Sequence, residues 1–91
     1  MIKYEVIISD KAKEHIELFR KSGQEIITKK IDKLLNELKE HPKTGTGHPE
    51  FLKYEKCWSR RIDKEHRLCY EVYDDKIVVL VLTAYGHYED N

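Results

Sequence analysis

A chain of 91 residues has room for one modest hydrophobic core, so positions 1–91 are read as a single domain. With 40% hydrophobic and 37% charged residues, the composition excludes a disordered or fibrous chain, and no apolar run approaches the ~20 residues that span a bilayer. Lysine plus arginine and aspartate plus glutamate both total 17, so the net charge is zero. That balance excludes a whole-protein basic funnel for nucleic acid but not a local basic face.

The opening Met1-Ile2-Lys3-Tyr4-Glu5 lacks a basic segment followed by a long apolar one, and a cytoplasmic location with no membrane partner is expected. Cys57 and Cys69 fit that compartment as reduced thiols. Neither lies in a C-x-x-C pair, and His15, His41, His48, His66 and His87 form no recognised zinc spacing, so no metal or other cofactor is expected.

In chain order, the β-rich stretch Tyr4 to Ile8 predicts a first strand. Ser9 then caps a helix whose apolar side carries Ala12, Ile16 and Phe19, ending near Ser22-Gly23. Ser22 with Glu25 three residues on forms a capping-box pattern for a second helix. Ile27, Ile31, Leu34, Leu35 and Leu38 make its stripe, and Pro42 marks its end. The short turn predicts a helical hairpin.

Pro42 to Glu50 holds two glycines and two prolines in nine positions and reads as a loop. Short strands follow around Phe51–Tyr54, Trp58–Ile62, Leu68–Tyr73 and Ile77–Ala84, with turns at Asp63–His66 and Asp74-Asp75. The last of them is apolar without alternation from Ile77 to Leu82, which predicts a central strand covered on both faces. Phe51 and Trp58 are assigned to the core. The fold class is therefore α+β: an N-terminal strand and a two-helix hairpin packed on a mostly antiparallel, twisted sheet of four to five strands.

Candidate chemistry concentrates at loop and strand ends: Glu50, Arg67, and His87 with Tyr88. A carboxylate, an imidazole and a guanidinium suffice for RNA cleavage, the first drawing a proton from a ribose 2′-OH and the second protonating the leaving 5′-oxygen. The third holds the phosphate as charge builds on it. Each also has an ordinary role as a solvated loop carboxylate, a hairpin ion pair or a strand end docked on the core, so taken singly they do not identify an enzyme. Lys53, Lys56, Arg60, Arg61, Lys64 and Arg67 outnumber Glu55, Asp63 and Glu65 and mark a local basic face. Arg60 and Arg61 point to opposite faces of a strand, so only one of them can reach RNA.

In order and spacing these segments resemble the YoeB (Txe) toxins of the RelE/ParE superfamily. The matching stretches are Gly45-Thr-Gly-His-Pro-Glu-Phe-Leu-Lys53, Trp58-Ser-Arg-Arg-Ile62, Glu65-His-Arg-Leu68 with Tyr70, and Tyr85-Gly-His-Tyr88. The resemblance implies a microbial-RNase-like fold and a ribosome-dependent endoribonuclease that cuts messenger RNA and inhibits translation. It further implies a type II toxin restrained by a YefM-like antitoxin, with operator DNA reached only through that antitoxin, and a possible homodimer. By position Glu50 falls on the general base, His87 on the general acid, Arg67 on the phosphate-stabilising arginine and Tyr88 on the terminal tyrosine. Lys53, Arg60 and Arg61 fall in the flanking RNA- and ribosome-binding segments. Glu89-Asp90-Asn91 extend past the tyrosine that often ends such chains and add two negative charges. The alternatives are a ParE-like gyrase-binding toxin without nuclease activity and a catalytically decayed toxin acting only as an antitoxin-binding co-repressor.

Overall fold

The computed structural model describes residues 2–86. Its elements are β1 (Glu5–Ile8), α1 (Asp10–Lys21), α2 (Glu25–Leu38), β2 (Glu50–Leu52), β3 (Cys57–Arg61), β4 (Arg67–Tyr73) and β5 (Val78–Thr83). They build an α+β domain whose five strands lie in one sheet in the order β1-β5-β4-β3-β2. Strands β2 to β5 pair antiparallel, while β1 lies parallel to β5, with Val6 beside Val79 and Ile8 beside Val81.

Ser9 opens α1 as its sequence context predicts: its Oγ accepts the Ala12 N–H at 3.1 Å and donates to the Leu82 carbonyl at 2.9 Å, tying the helix start to β5. The second cap differs from the prediction. Helix α1 runs to Lys21, so Ser22 closes α1 instead of starting α2, and its hydroxyl donates to the carbonyls of Leu18 and Phe19 at 2.8 and 3.2 Å. Those carbonyls, in the last turn of the helix, also accept the backbone N–H groups of Ser22 and Gln24 at 3.1 Å each. Gln24 takes the N-cap of α2 without a side-chain bond.

The helical stripes bury Ala12, Ile16 and Phe19 from α1 and Ile31, Leu34 and Leu38 from α2 against Leu68, Tyr70, Val79 and Val81. Because side chains alternate along a strand, this covers one face of the sheet and leaves the other to different chemistry. Among the described residues, the uncovered face carries a small apolar cluster of Leu52, Cys57 and Cys69 with Leu82 against it. Strand β5 is interior to the sheet, but its expected cover is uneven: Val79 and Val81 are buried whereas Leu80 and Leu82 are half-buried. Phe51 also departs from the core assignment. It is 53% exposed because β2 is an edge strand, and it meets the half-buried Trp58 edge-on at 5.8 Å.

Both cysteines are free and buried. Burial pushes the Cys69 thiol up to about 12 and raises Cys57 as well, so both stay protonated at neutral pH. Among the described residues no helix is long and apolar enough to cross a membrane.

Candidate functional site

The pairing register assembles a polar row on the face away from the helices. Glu50 lies opposite Ser59, Ser59 opposite Cys69, and Arg61 opposite Arg67, so these side chains from β2, β3 and β4 share one face. Arg67 reaches back across β3: its Nη1 donates to Glu50 Oε1 at 2.7 Å and to Ser59 Oγ at 3.3 Å. Ser59 is fully buried beneath it, while the Arg67 and Glu50 side chains are 23% and 53% exposed. Like charges directly opposite one another are unfavourable in a sheet. The Arg61–Arg67 pair therefore favours an anion, which Glu50 supplies only to Arg67. Arg61 has no carboxylate within ion-pair distance among the described residues.

His48, Glu50, Arg61 and Arg67 line a cleft of about 290 Å³. Two guanidinium groups against one carboxylate give it the electrostatics of a phosphate site beside a proton acceptor. A larger hollow of about 460 Å³ lies at the α1–α2 turn, but its lining of Gly23, Gln24, Glu25, Ile26 and Ile27 offers no cation for an anionic substrate.

The loop that carries His48 and Glu50 to this cleft is held from behind by Arg60. That residue, expected among the RNA-facing cations, is instead fully buried on the helix side of the sheet. Its Nε donates to Tyr70 Oη at 3.0 Å, Nη1 to Glu37 Oε1 at 2.9 Å and to the Thr46 carbonyl at 3.4 Å, and Nη2 to the carbonyls of Thr44 (2.7 Å) and His41. Tyr70 Oη in turn donates to the Pro42 carbonyl at 2.8 Å. A guanidinium has enough donors to satisfy a buried irregular loop, which no apolar side chain could do. Burial alone would raise the Glu37 carboxyl, but hydrogen bonds from Thr46 and Arg60 outweigh it and hold the group below its ordinary value.

At the cleft end of the loop, the Arg61 N–H donates to the Gly47 carbonyl at 2.6 Å. Gly47 sits at φ 87°, and a Cβ there would come within 2.8 Å of the Arg61 carbonyl oxygen, so only glycine allows this approach. His48 follows at φ 51°, a left-handed conformation that costs a non-glycine residue about 1–3 kcal/mol. His48, which lines the cleft, and Ser59, buried beneath Arg67, are the site residues that the sequence reading did not assign. Lys53 is exposed in the turn after β2 and does not line the cleft. At the other end, Arg67 N donates to the Gly86 carbonyl at 2.8 Å, which brings the end of the described chain beside Arg67. His87 and Tyr88 lie outside the described residues.

This architecture is shared with solved toxins. A YoeB/ParE toxin from Agrobacterium tumefaciens superposes with a TM-score of 0.83 at 29% identity, covering 92% of this chain and 99% of that one. YoeB of Staphylococcus aureus, solved in a heterotetrameric YoeB–YefM complex, gives 0.77 at 31% identity over 94% and 99% of the two chains, and the same protein has been solved as a dimer. The fold is thus that of the RelE/ParE-type toxins. In sequence, Escherichia coli toxin YoeB is 46% identical over 55 residues, covering 58% of this chain and 66% of that protein, a little under two thirds of its length. The family model for the YoeB-like toxin of bacterial type II toxin–antitoxin systems matches residues 8–88, and the chain belongs to that family.

Proposed function

We propose that this toxin is a ribosome-dependent endoribonuclease that cleaves messenger RNA by general acid–base catalysis and so arrests translation. The observation that carries the reading is the 2.7 Å contact between Arg67 Nη1 and Glu50 Oε1 inside a cleft that also holds Arg61. It sets a carboxylate beside a guanidinium, with a further cation facing the same space, which supports the roles of proton acceptor and phosphate binder.

In this reading the bound phosphate takes over the Arg67 guanidinium, and the freed Glu50 carboxylate accepts the proton of the neighbouring 2′-OH. The 2′-oxygen attacks phosphorus, and the bond to the 5′-oxygen breaks as that oxygen receives a proton. The family resemblance assigns the proton donor to His87 and the shaping of the site to Tyr88. Arg67 and Arg61 offset the charge that grows on the non-bridging oxygens. The products are a 2′,3′-cyclic phosphate and a 5′-hydroxyl. Lys53, exposed beside the cleft strand β2, serves the ribosomal RNA surface; Arg60 acts only through the loop it holds.

The YoeB–YefM complex and the YoeB dimer of S. aureus support a YefM-like antitoxin as partner and self-association as a second state. A gyrase-binding role leaves the Glu50–Arg67 pair and its cleft without a task. The test is incubation of the purified toxin with ribosomes programmed with a defined message. Cuts at the A-site codon bearing cyclic phosphate and 5′-hydroxyl ends are expected, whereas 5′-phosphate ends or an intact message would refute the reading.

A further inference from the structure

We propose that His66 is a positioning residue for the proposed reaction: its Nδ1 anchors the Gly86 peptide, the last one described, beside Arg67. The inference rests on the reading above, in which His87 supplies the departing oxygen with its proton.

The geometry is a grip on both ends of one residue. The Gly86 N–H donates to His66 Nδ1 at 2.8 Å, while the Gly86 carbonyl accepts the Arg67 N–H at 2.8 Å. That carbonyl belongs to the peptide bond that joins residue 87. One hydrogen bond therefore separates the backbone of the phosphate-binding arginine from the backbone leading into the proposed acid. His66 is itself well held: Asp63 Oδ1 accepts its N–H at 2.7 Å, and its carbonyl accepts the N–H groups of Ile62 and Asp63 at 2.9 and 3.2 Å. Its side chain is only 12% exposed, edge-on to Phe19 at 4.9 Å and tilted against Tyr85 at 4.8 Å.

A second imidazole repeats the device one step earlier. Strand β5 ends at Thr83, and beyond it the Ala84 and Gly86 N–H groups turn to imidazole acceptors. Ala84 N–H donates to His15 Nδ1 at 3.1 Å, and the Tyr85 ring lies between the two histidines, 5.7 Å from His15. Burial holds His15 below its usual value, helped by Lys11 and opposed by Glu14, so its acceptor nitrogen stays free at neutral pH. An Nδ1 that accepts requires the proton on Nε2. In His66 that nitrogen faces the Glu65 carboxylate at 4.0 Å.

Two substitutions separate holding from packing. His66→Phe keeps a ring against Phe19 and Tyr85 but removes the acceptor; His66→Asn loses the ring but keeps an oxygen near the Nδ1 position. Misplacing a reacting group by about 1 Å costs on the order of 100-fold, so His66→Phe is expected to lower kcat about 10–100-fold with little change in KM, and His66→Asn to stay near wild type. The opposite order, with Phe active and Asn impaired, means that the ring only packs and overturns the proposal.

Nitrogen NMR of the free wild-type protein decides the point without activity or variants. The proposal requires His66 in its Nε2–H form and a slowly exchanging Gly86 amide; a proton on Nδ1 overturns it. A Glu50→Gln control keeps the two readings apart. If that variant is dead while His66→Phe is fully active, the positioning role fails and the catalytic site stands. If Glu50→Gln cleaves like wild type, the catalytic reading fails, and the NMR result still decides how Gly86 is held.

Discussion

Glu50→Gln is expected to slow single-turnover cleavage on programmed ribosomes by about 10²–10⁴-fold, the contribution typical of a positioned general base. The amide keeps the size of the side chain and can still accept a hydrogen bond from Arg67, but it cannot take up the 2′-OH proton. Folding should barely change. The Glu50 side chain is 53% exposed in its pair with Arg67, and exposed pairs contribute about 0.2–1 kcal/mol. The combination of a large rate loss with an unchanged urea midpoint is the signature to look for. A rate within a few-fold of wild type would remove Glu50 from the chemistry, and a collapse in stability would make the loss uninformative about proton transfer and contradict the exposed-pair argument.

The largest stability effect belongs to the other arginine. Arg60→Leu is expected to destabilise the fold by about 3–5 kcal/mol, the range for breaking one side of a buried charge pair. The variant strands the Glu37 carboxylate, the Tyr70 hydroxyl and the carbonyls of His41, Thr44 and Thr46 that the guanidinium now serves. Against a typical domain stability of about 5–15 kcal/mol this is a substantial fraction. Urea unfolding at neutral pH is the measurement, and a loss below about 1 kcal/mol, the worth of a surface pair, would contradict the arrangement. The effect has a pH signature. Because the Glu37 carboxyl is held below its ordinary 4.5, its stabilising contribution is complete above that value and disappears as pH falls through the lowered one. The gap between wild type and variant should therefore narrow in acid, by the part that depends on the Glu37 carboxylate.

These two arginines also mark how far a sequence can be read. Helical stripes were legible because burial imposes a period, and the observed core residues Phe19, Ile31, Leu34 and Leu38 follow them. Strand alternation correctly divided Arg60 from Arg61 between faces, but which face meets water depends on where the helices pack, and only tertiary structure supplies that. Ser22 carried a signal that fits either side of a helix turn; the length of α1 decided it.

The candidate site was partly legible for the same reason. Glu50 and Arg67 stood out at a loop end and a strand start, and again in the family motifs, yet their meeting depends on the register that places Glu50 opposite Ser59 and Arg61 opposite Arg67. Register is set by pairing between positions 17 apart in the chain, Glu50 and Arg67, and leaves no local trace. Ser59 and His48 were missed on that account. The first is an ordinary strand serine until Arg67 lies over it, and the second owes its place in the cleft to left-handed backbone at φ 51°. The parallel addition of β1 to β5 is likewise a long-range event that neither segment announces.

The central claim is that Glu50 and Arg67 act on a 2′-OH and its adjacent phosphate. It is tested most directly by a message carrying a single 2′-deoxy substitution at the nucleotide 5′ to the scissile bond, presented on the ribosome beside the all-ribose message. The account predicts that the ribose message is cut and the substituted one is not. Cleavage of both at equal rates would contradict it, because no attacking oxygen would then be needed from the ribose.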